Sequence, residues 1–449
     1  MMRGLPASRT VRASFWSLAG FGLGQILRLA GNLVMTRLLF PEAFGLMALI
    51  NVFIIGLAMF SDVGIGLSIV QNPRGDEPAF LNTAWTVQVI RGLVLWMTAC
   101  LLAWPIALIY AEPQILWILP LAAFTAVIQG LASTKLFTAQ RHMQVALITA
   151  VELLSGLAGV MAMVLWAWFH PHVLALVAGA LIGAMIKTML SHVMLPGEAN
   201  RLHWDRSCLS SMAGMGRWAL LNTAIAFIAM QSDRLVLGKM LSLEVLGVYS
   251  IAVMFAAMPM DLLSRLGNQV VFPWVSRQAT LTREELRQKL RRYRQPILLA
   301  GMLGASLMVG LADVLIHQLY DSRYHQAGWM LALLSIGLWT SVLACASDWT
   351  LLALGKPKGL ALGNGLRLVI GISAMVVGYH LAGLTGLVMA VAMAGWLRQF
   401  GVWWGMKKEG ILLLGQDALA TVGFVVCTAM VLGIRWWITG GGFYLNLPS

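Results

Sequence analysis

Arg37-Leu38-Leu39-Phe40-Pro41-Glu42-Ala43-Phe44-Gly45 returns later in the chain as Lys239-Met240-Leu241-Ser242-Leu243-Glu244-Val245-Leu246-Gly247. The offset, 239 minus 37, is 202 residues at every position. A base, two apolar residues, an acid and a glycine coincide. Internal self-similarity decides an architecture before any local reading does, and here it predicts two half-chains of one design.

Each copy lies between apolar runs. Working outward, such runs fall near 13–38, 44–70, 80–109, 115–139, 144–169, 172–195, 212–237, 243–268, 295–318, 326–353, 359–380, 383–405 and 415–437. A crossing of the ~30 Å hydrocarbon core takes roughly 20 apolar residues, so all thirteen qualify. The chain of 449 residues is 59% hydrophobic and only 11% charged, with a mean hydropathy of +0.80. A soluble domain carries about a quarter charged residues, and lipid is the solvent that accepts the surface left over. The first run follows Arg3, Arg9 and Arg12, as a signal peptide would. It stays apolar for about 25 residues, too long for a cleaved segment, and reads as a retained span.

In both copies the repeated segment joins the first and second spans of a six-span set. Six is even, so both sets begin on the same side of the membrane. The sequence therefore predicts an all-α polytopic membrane protein of two six-helix bundles, 1–200 and 201–410, with one additional C-terminal helix and tail over 411–449. Parallel repeats of this kind are related by an axis along the membrane normal, with the substrate site expected between them.

The formal net charge of +13 has a sided distribution. With the N-terminus placed in the cytoplasm, that side holds, among others, Arg3, Arg9 and Arg12, all the basic residues from Arg283 to Arg294, and Lys356, Lys358, Lys407 and Lys408. The opposite loops hold only Arg37, Lys239 and Arg323. This is the positive-inside pattern, and an odd span count then puts the C-terminus outside. Basic residues on that face meet anionic membrane lipids. Nothing in the chain pairs them with base-reading or stacking groups, so nucleic acid is set aside. Thr282-Arg283-Glu284-Glu285 is a capping-box pattern, and Leu286, Leu290 and Tyr293 follow at helical spacing. That stretch predicts a short amphipathic helix on the membrane surface.

Thr36 to Gly45, then Phe60-Ser61-Asp62-Val63-Gly64 running to Ser68-Ile69-Val70-Gln71, resembles the bacterial polysaccharide transporter family, within it the colanic-acid-exporter type. Asp233-Arg234-Leu235-Val236-Leu237-Gly238-Lys239, Leu246-Gly247-Val248-Tyr249-Ser250 and Leu354-Gly355-Lys356-Pro357-Lys358 carry the likeness into the second half. The resemblance implies the multidrug/oligosaccharidyl-lipid/polysaccharide flippase superfamily, two six-helix bundles and alternating access. It implies an undecaprenyl-diphosphate-linked oligosaccharide as substrate, turned from the cytoplasmic to the periplasmic leaflet of the bacterial inner membrane. A polysaccharide polymerase and export machinery would be its working partners. Related exporters often carry fourteen spans, whereas thirteen are counted here.

Polar residues inside the runs are the candidate site. An intramembrane arginine costs roughly 2.5–3.5 kcal/mol on insertion scales and so faces a cavity or a partner. Gln25, Arg28 and Asn32 form one stripe of the first span; Gln88 and Arg91 share a face of the third, and Asn364 and Arg367 of the eleventh. The arginines are candidates to fork onto a diphosphate, with structural interhelical ion pairs as the alternative. Asp62 and Glu152, with Asn51 on the face of Asp62, are candidates to take up a coupling proton or sodium ion. Arg217, Arg265, Arg398 and Arg435 sit near span ends, where snorkelling explains them. Cys100, Cys208, Cys345 and Cys427 make no metal or redox spacing, and no cofactor is implied. A drug or cation antiporter of the same superfamily would favour an acidic cavity. A membrane glycosyltransferase or ligase would need an extramembrane loop with acids or histidines, and the outer loops are a few residues long.

Overall fold

The computed structural model describes residues 7–61, 64–213, 227–228, 231–266, 271, 274–275 and 281–439. The chain divides into two compact units, Met1–Ala224 and Ile225–Ser449. The division falls later than the expected 200 because the chain past that point still lies on the first unit. Asn82 Oδ1 accepts from the Arg201 amide at 2.9 Å and Thr86 Oγ1 from the His203 amide at 3.0 Å.

The first unit comprises α1 (Ala7–Leu38), α2 (Pro41–Phe60), α3 (Ile65–Gln71), α4 (Pro78–Tyr110), α5 (Ile115–Gly130), α6 (Lys135–Arg141), α7 (Val145–Phe169), α8 (Leu174–Val193) and α9 (Arg206–Ala213). The second comprises α10 (Leu243–Leu266), α11 (Arg283–Leu319), α12 (Ala327–Ala353), α13 (Lys358–Lys408) and α14 (Leu414–Thr439). Ala382 and Gly383 leave helical backbone inside α13, Gly383 at φ 56, so α13 is two antiparallel limbs holding two of the expected spans.

Nine helices among the described residues are long and apolar enough to cross a membrane, and the bent pair α5–α6 makes a tenth. The second limb of α13 and α1, whose polar stripe lowers its hydropathy, account for two more of the runs. The run at 212–237 lies largely outside the described residues, as do Arg217 and Asp62. The protein is a multi-pass membrane protein.

The repeat is visible in the packing of each unit. α4 packs on α5 and α2 on α5; in the second unit α11 packs on α12 and α10 on α12. The following pair, α7 with α8 or the two limbs of α13, closes through glycines. A Cβ on Gly159 would meet the Gly179 carbonyl oxygen at 2.9 Å, and one on Gly363 the Arg398 carbonyl oxygen at 2.4 Å. Small residues give backbones this approach where lipid supplies no hydrophobic force between helices.

Two spans are broken where the sequence reads as continuous. The second ends α2 at Ser61 and resumes as α3 after Gly64, which takes φ 71, a conformation glycine adopts without a Cβ clash. The fourth bends by 60° between α5 and α6.

The amphipathic stretch at 282–294 is not a separate surface helix. Thr282 and Glu285 form the capping box, but the helix runs unbroken through Pro296 to Leu319. Its apolar face finds protein instead of lipid: Leu286 and Leu290 pack with Leu351, Val402, Met406, Ile411 and Leu413. Arg294, counted among the cytoplasmic charges, is 1% exposed. Its Nη2 donates to Asp417 Oδ1 at 2.6 Å and to the Leu343 carbonyl at 2.9 Å, while Trp403 Nε1 donates to Asp417 Oδ2 at 2.8 Å. The Arg294–Asp417 pair thus ties α11, α12, α13 and α14 together, and the additional C-terminal helix is built into the second unit.

Snorkelling likewise fails for two arginines. Arg435 is 7% exposed and forks onto Asp313, with Nη1 also donating to the Gly310 carbonyl at 2.8 Å. Arg398 Nη2 donates to Asp348 Oδ2 at 2.6 Å. Both found partners one or more helices away, which a single span cannot reveal.

Removing one member of a buried pair strands the other and typically costs about 3–5 kcal/mol, whereas apolar replacement of both is often neutral. Asp417→Leu should therefore lower the melting temperature of the purified protein sharply, and Arg294→Met/Asp417→Leu should recover most of the loss. A double variant no more stable than the single would show that the pair is not what holds α14 in place.

Candidate functional site

The polar stripe of α1 has a definite side. Gly20 lies against Thr149, Leu27 against Gly156 and Gly31 against Val160, so α1 and α7 run parallel in contact. The exposed apolar residues of α1, Leu23, Ile26 and Val34, occupy one side. At 100° per residue, Gln25, Arg28 and Asn32 lie on the opposite one. Arg28 is exposed there, and Gln25 and Asn32 are half-buried. Glu152 of α7 is exposed too, and its angular position is opposite that of Leu154, Leu157, Met161 and Leu165. Helical spacing therefore opens Glu152 and the α1 stripe onto the same side of the α1–α7 pair. Their levels differ by about five residues, or roughly 7–8 Å of rise.

Gln88 and Arg91 do a different job. Arg91 Nε donates to Ser61 Oγ at 2.9 Å and Nη2 to the Ala58 carbonyl at 2.7 Å, at the open end of α2. Gln88 Nε2 lies within 3.0–3.2 Å of the carbonyls of Gln129, Gly130 and Ala132, at the bend between α5 and α6. Three apart on α4, they reach carbonyls at two neighbouring helix breaks. Thr188 Oγ1 adds a bond to the Ile128 carbonyl at 2.9 Å. Arg141 Nη1 closes the far end of α3 on the carbonyls of Ile69 and Asn72, at 2.8 and 2.6 Å.

In the second unit Arg367 and Asn364 belong to a charged cluster the sequence left scattered. Asn364 Oδ1 accepts from Arg398 Nε at 3.1 Å, and Arg398 bonds Asp348. Asp233, on the helical stretch 231–240, accepts from the Tyr249 hydroxyl at 2.7 Å. Arg367 lies within electrostatic reach of Asp233, Tyr249 and Arg398. Asp233, Tyr249, Asp348 and Arg398 were not among the expected site residues. The pairing of Asn364 with Arg367 at helical spacing was the signal for the cluster; nothing local pointed from Arg398 to Asp348, fifty residues earlier. Asn51 is half-buried on α2. Its expected partner Asp62 lies outside the described residues. No group of three or more His, Cys, Asp or Glu among the described residues is arranged to hold a metal ion.

The model of the polysaccharide biosynthesis protein family matches residues 34–328, well over half of the chain. The chain belongs to that family. Among curated relatives of this family member is the lipopolysaccharide biosynthesis protein WzxC of Escherichia coli (strain K12), 23% identical over 98% of this chain and 86% of the relative. Among solved structures, the lipid II flippase MurJ in an inward closed conformation is similar at a TM-score of 0.71 and 13% identity, over 96% of this chain and 94% of that one. An inward-facing multidrug resistance MATE transporter of the MOP superfamily follows at a TM-score of 0.63 and 13% identity, over 91% and 96%. These two likenesses are of fold. The family member thus carries the fold of transporters.

A carbonyl stripped of its donor costs about 1–3 kcal/mol. Gln88→Leu should accordingly speed amide hydrogen exchange around residues 128–136 by roughly 5–150-fold at 1–3 kcal/mol, and Arg91→Leu should do so around 57–61. Exchange unchanged in both variants would mean that α4 does not hold the two breaks.

Proposed function

We propose that this family member is a flippase. It turns an undecaprenyl-diphosphate-linked oligosaccharide from the cytoplasmic to the periplasmic leaflet, by alternating access, for surface or exopolysaccharide synthesis. The observation that carries the reading is Arg28, an exposed guanidinium on α1, set on the side away from that helix's exposed apolar residues. A diphosphate cannot cross hydrocarbon bare, and a guanidinium matches phosphate oxygens in a bidentate fork. Gln25 and Asn32 on the same stripe offer hydrogen bonds to sugar hydroxyls. Arg367, with Asn364 beside it, is the corresponding cation of the second unit. Arg91 and Gln88 keep a share in the reading through the helix breaks they hold, since broken helices commonly form the binding sites of transporters.

Glu152 is the acid best placed to exchange a proton or sodium ion during the cycle, on the same side as Arg28; Asp62 and Asn51 remain candidates from the second span. The orientation follows from the charges: N-terminus in the cytoplasm, with the basic segment 283–294 on the same side. A polymerase and export machinery would consume the product on the far side.

Arg28→Ala should abolish polysaccharide export at unchanged protein level, and Arg28→Lys should restore it in part, keeping charge and losing the fork. The lost contact corresponds to about 1.5–3 kcal/mol of binding. Normal export by Arg28→Ala and Arg367→Ala alike would remove these cations from the mechanism.

A further inference from the structure

The start of α11 presents two stripes. Leu286, Leu290, Arg294 and Leu298 are buried in protein. Lys289, Arg292, Tyr293, Pro296 and Ile297, at spacings of three and four, form a second stripe, and these five line a cavity of about 520 Å³. Its other wall is Val271 and Trp274, from the segment that joins α10 to α11. Trp274 stacks on Tyr293 with ring centroids 4.5 Å apart and planes 11° from parallel.

The position of this cavity along the helix is informative. Arg283, Arg287, Lys289, Arg291 and Arg292 are all exposed, and past Arg294 the next basic side chain on α11 is His317. The apolar run therefore begins at Pro296 and Ile297, at the level where charged headgroups give way to hydrocarbon, and the stacked aromatic pair sits where interfacial aromatics gather. From Lys289 to Ile297 the helix rises about 12 Å. The cavity is thus cationic at its aqueous end and apolar at its buried end, an amphiphile's own profile, and its volume falls within the range of small-molecule sites.

We propose that this cavity holds an anionic phospholipid of the leaflet at the basic end of α11. Lys289 and Arg292 meet the phosphate, Tyr293 and Trp274 cover the glycerol region, and Val271, Pro296 and Ile297 receive the first methylenes of the chains. Basic pockets beside membrane helices bind anionic headgroups in this manner. A lipid seated here bridges α11 to the segment before it, so occupancy stabilises the junction of α10 and α11. The site is separate from the polar stripe of α1 and from the Arg367 cluster, and it stands whether or not the chain is a flippase.

The test is equilibrium binding of a fluorescent phosphatidylglycerol to the purified full chain in neutral detergent. The wild type should bind it at least tenfold more tightly than a phosphatidylcholine with the same chains. Lys289→Gln/Arg292→Gln, both at exposed positions, should erase that preference while still eluting as a single species. Ile297→Trp, which fills the apolar end, should weaken both lipids. Inorganic phosphate should compete poorly, since it has no chain to bury. Equal affinity for the two lipids, an unchanged preference in the double variant, or full competition by millimolar phosphate would each overturn the proposal.

Discussion

Hydrocarbon offers no water to an open carbonyl or a lone carboxylate, so every polar group at membrane depth has to be answered by the protein itself. The rest of the structure follows from this. Asp417 is answered by Arg294 and Trp403, Asp313 by Arg435, and Asp348 by Arg398. Each pair joins helices far apart in sequence, so the charges that are costly in lipid become the ties of the second unit. In the first unit the same demand falls on backbone. Two spans break, and α4 supplies a donor to each, Arg91 and Gln88, through residues three apart.

The spans were legible because their cause is local. Twenty apolar residues look alike wherever they occur, and the repeated base–apolar–acid–glycine segment survives as a string. The capping box at Thr282 was legible for the same reason, being a contact over three residues. Its continuation was not: the change from polar to apolar near residue 295 read as a boundary, whereas Leu286, Leu290 and Arg294 are held by α12, α13 and the segment that begins α14. The breaks at Ser61 and between α5 and α6 went unread, since Ser61-Asp62-Val63-Gly64 and Ser133-Thr134-Lys135 are short polar interruptions inside long apolar runs. Spacing identified Gln88 with Arg91 and Asn364 with Arg367 as faces; what those faces meet is tertiary, and in the first case it is backbone.

That distinction sorts the intramembrane arginines by use. Arg294, Arg398 and Arg435 are bound to carboxylates, and Arg91 to a helix end. Arg28 is exposed, on a stripe with Gln25 and Asn32. Arg367 sits among Asp233, Tyr249 and Arg398.

The measurement that bears most directly on this account uses the purified full-length protein in proteoliposomes. Lipid-linked oligosaccharide carrying a diphosphate is placed in one leaflet, and its arrival in the other is followed with a label that only the outer solution can quench. The account predicts translocation well above that of protein-free vesicles, competed by a second diphosphate-linked saccharide lipid and not by cationic drugs. Vesicles that leave the oligosaccharide in place yet expel a cationic drug against a proton or sodium gradient would contradict it.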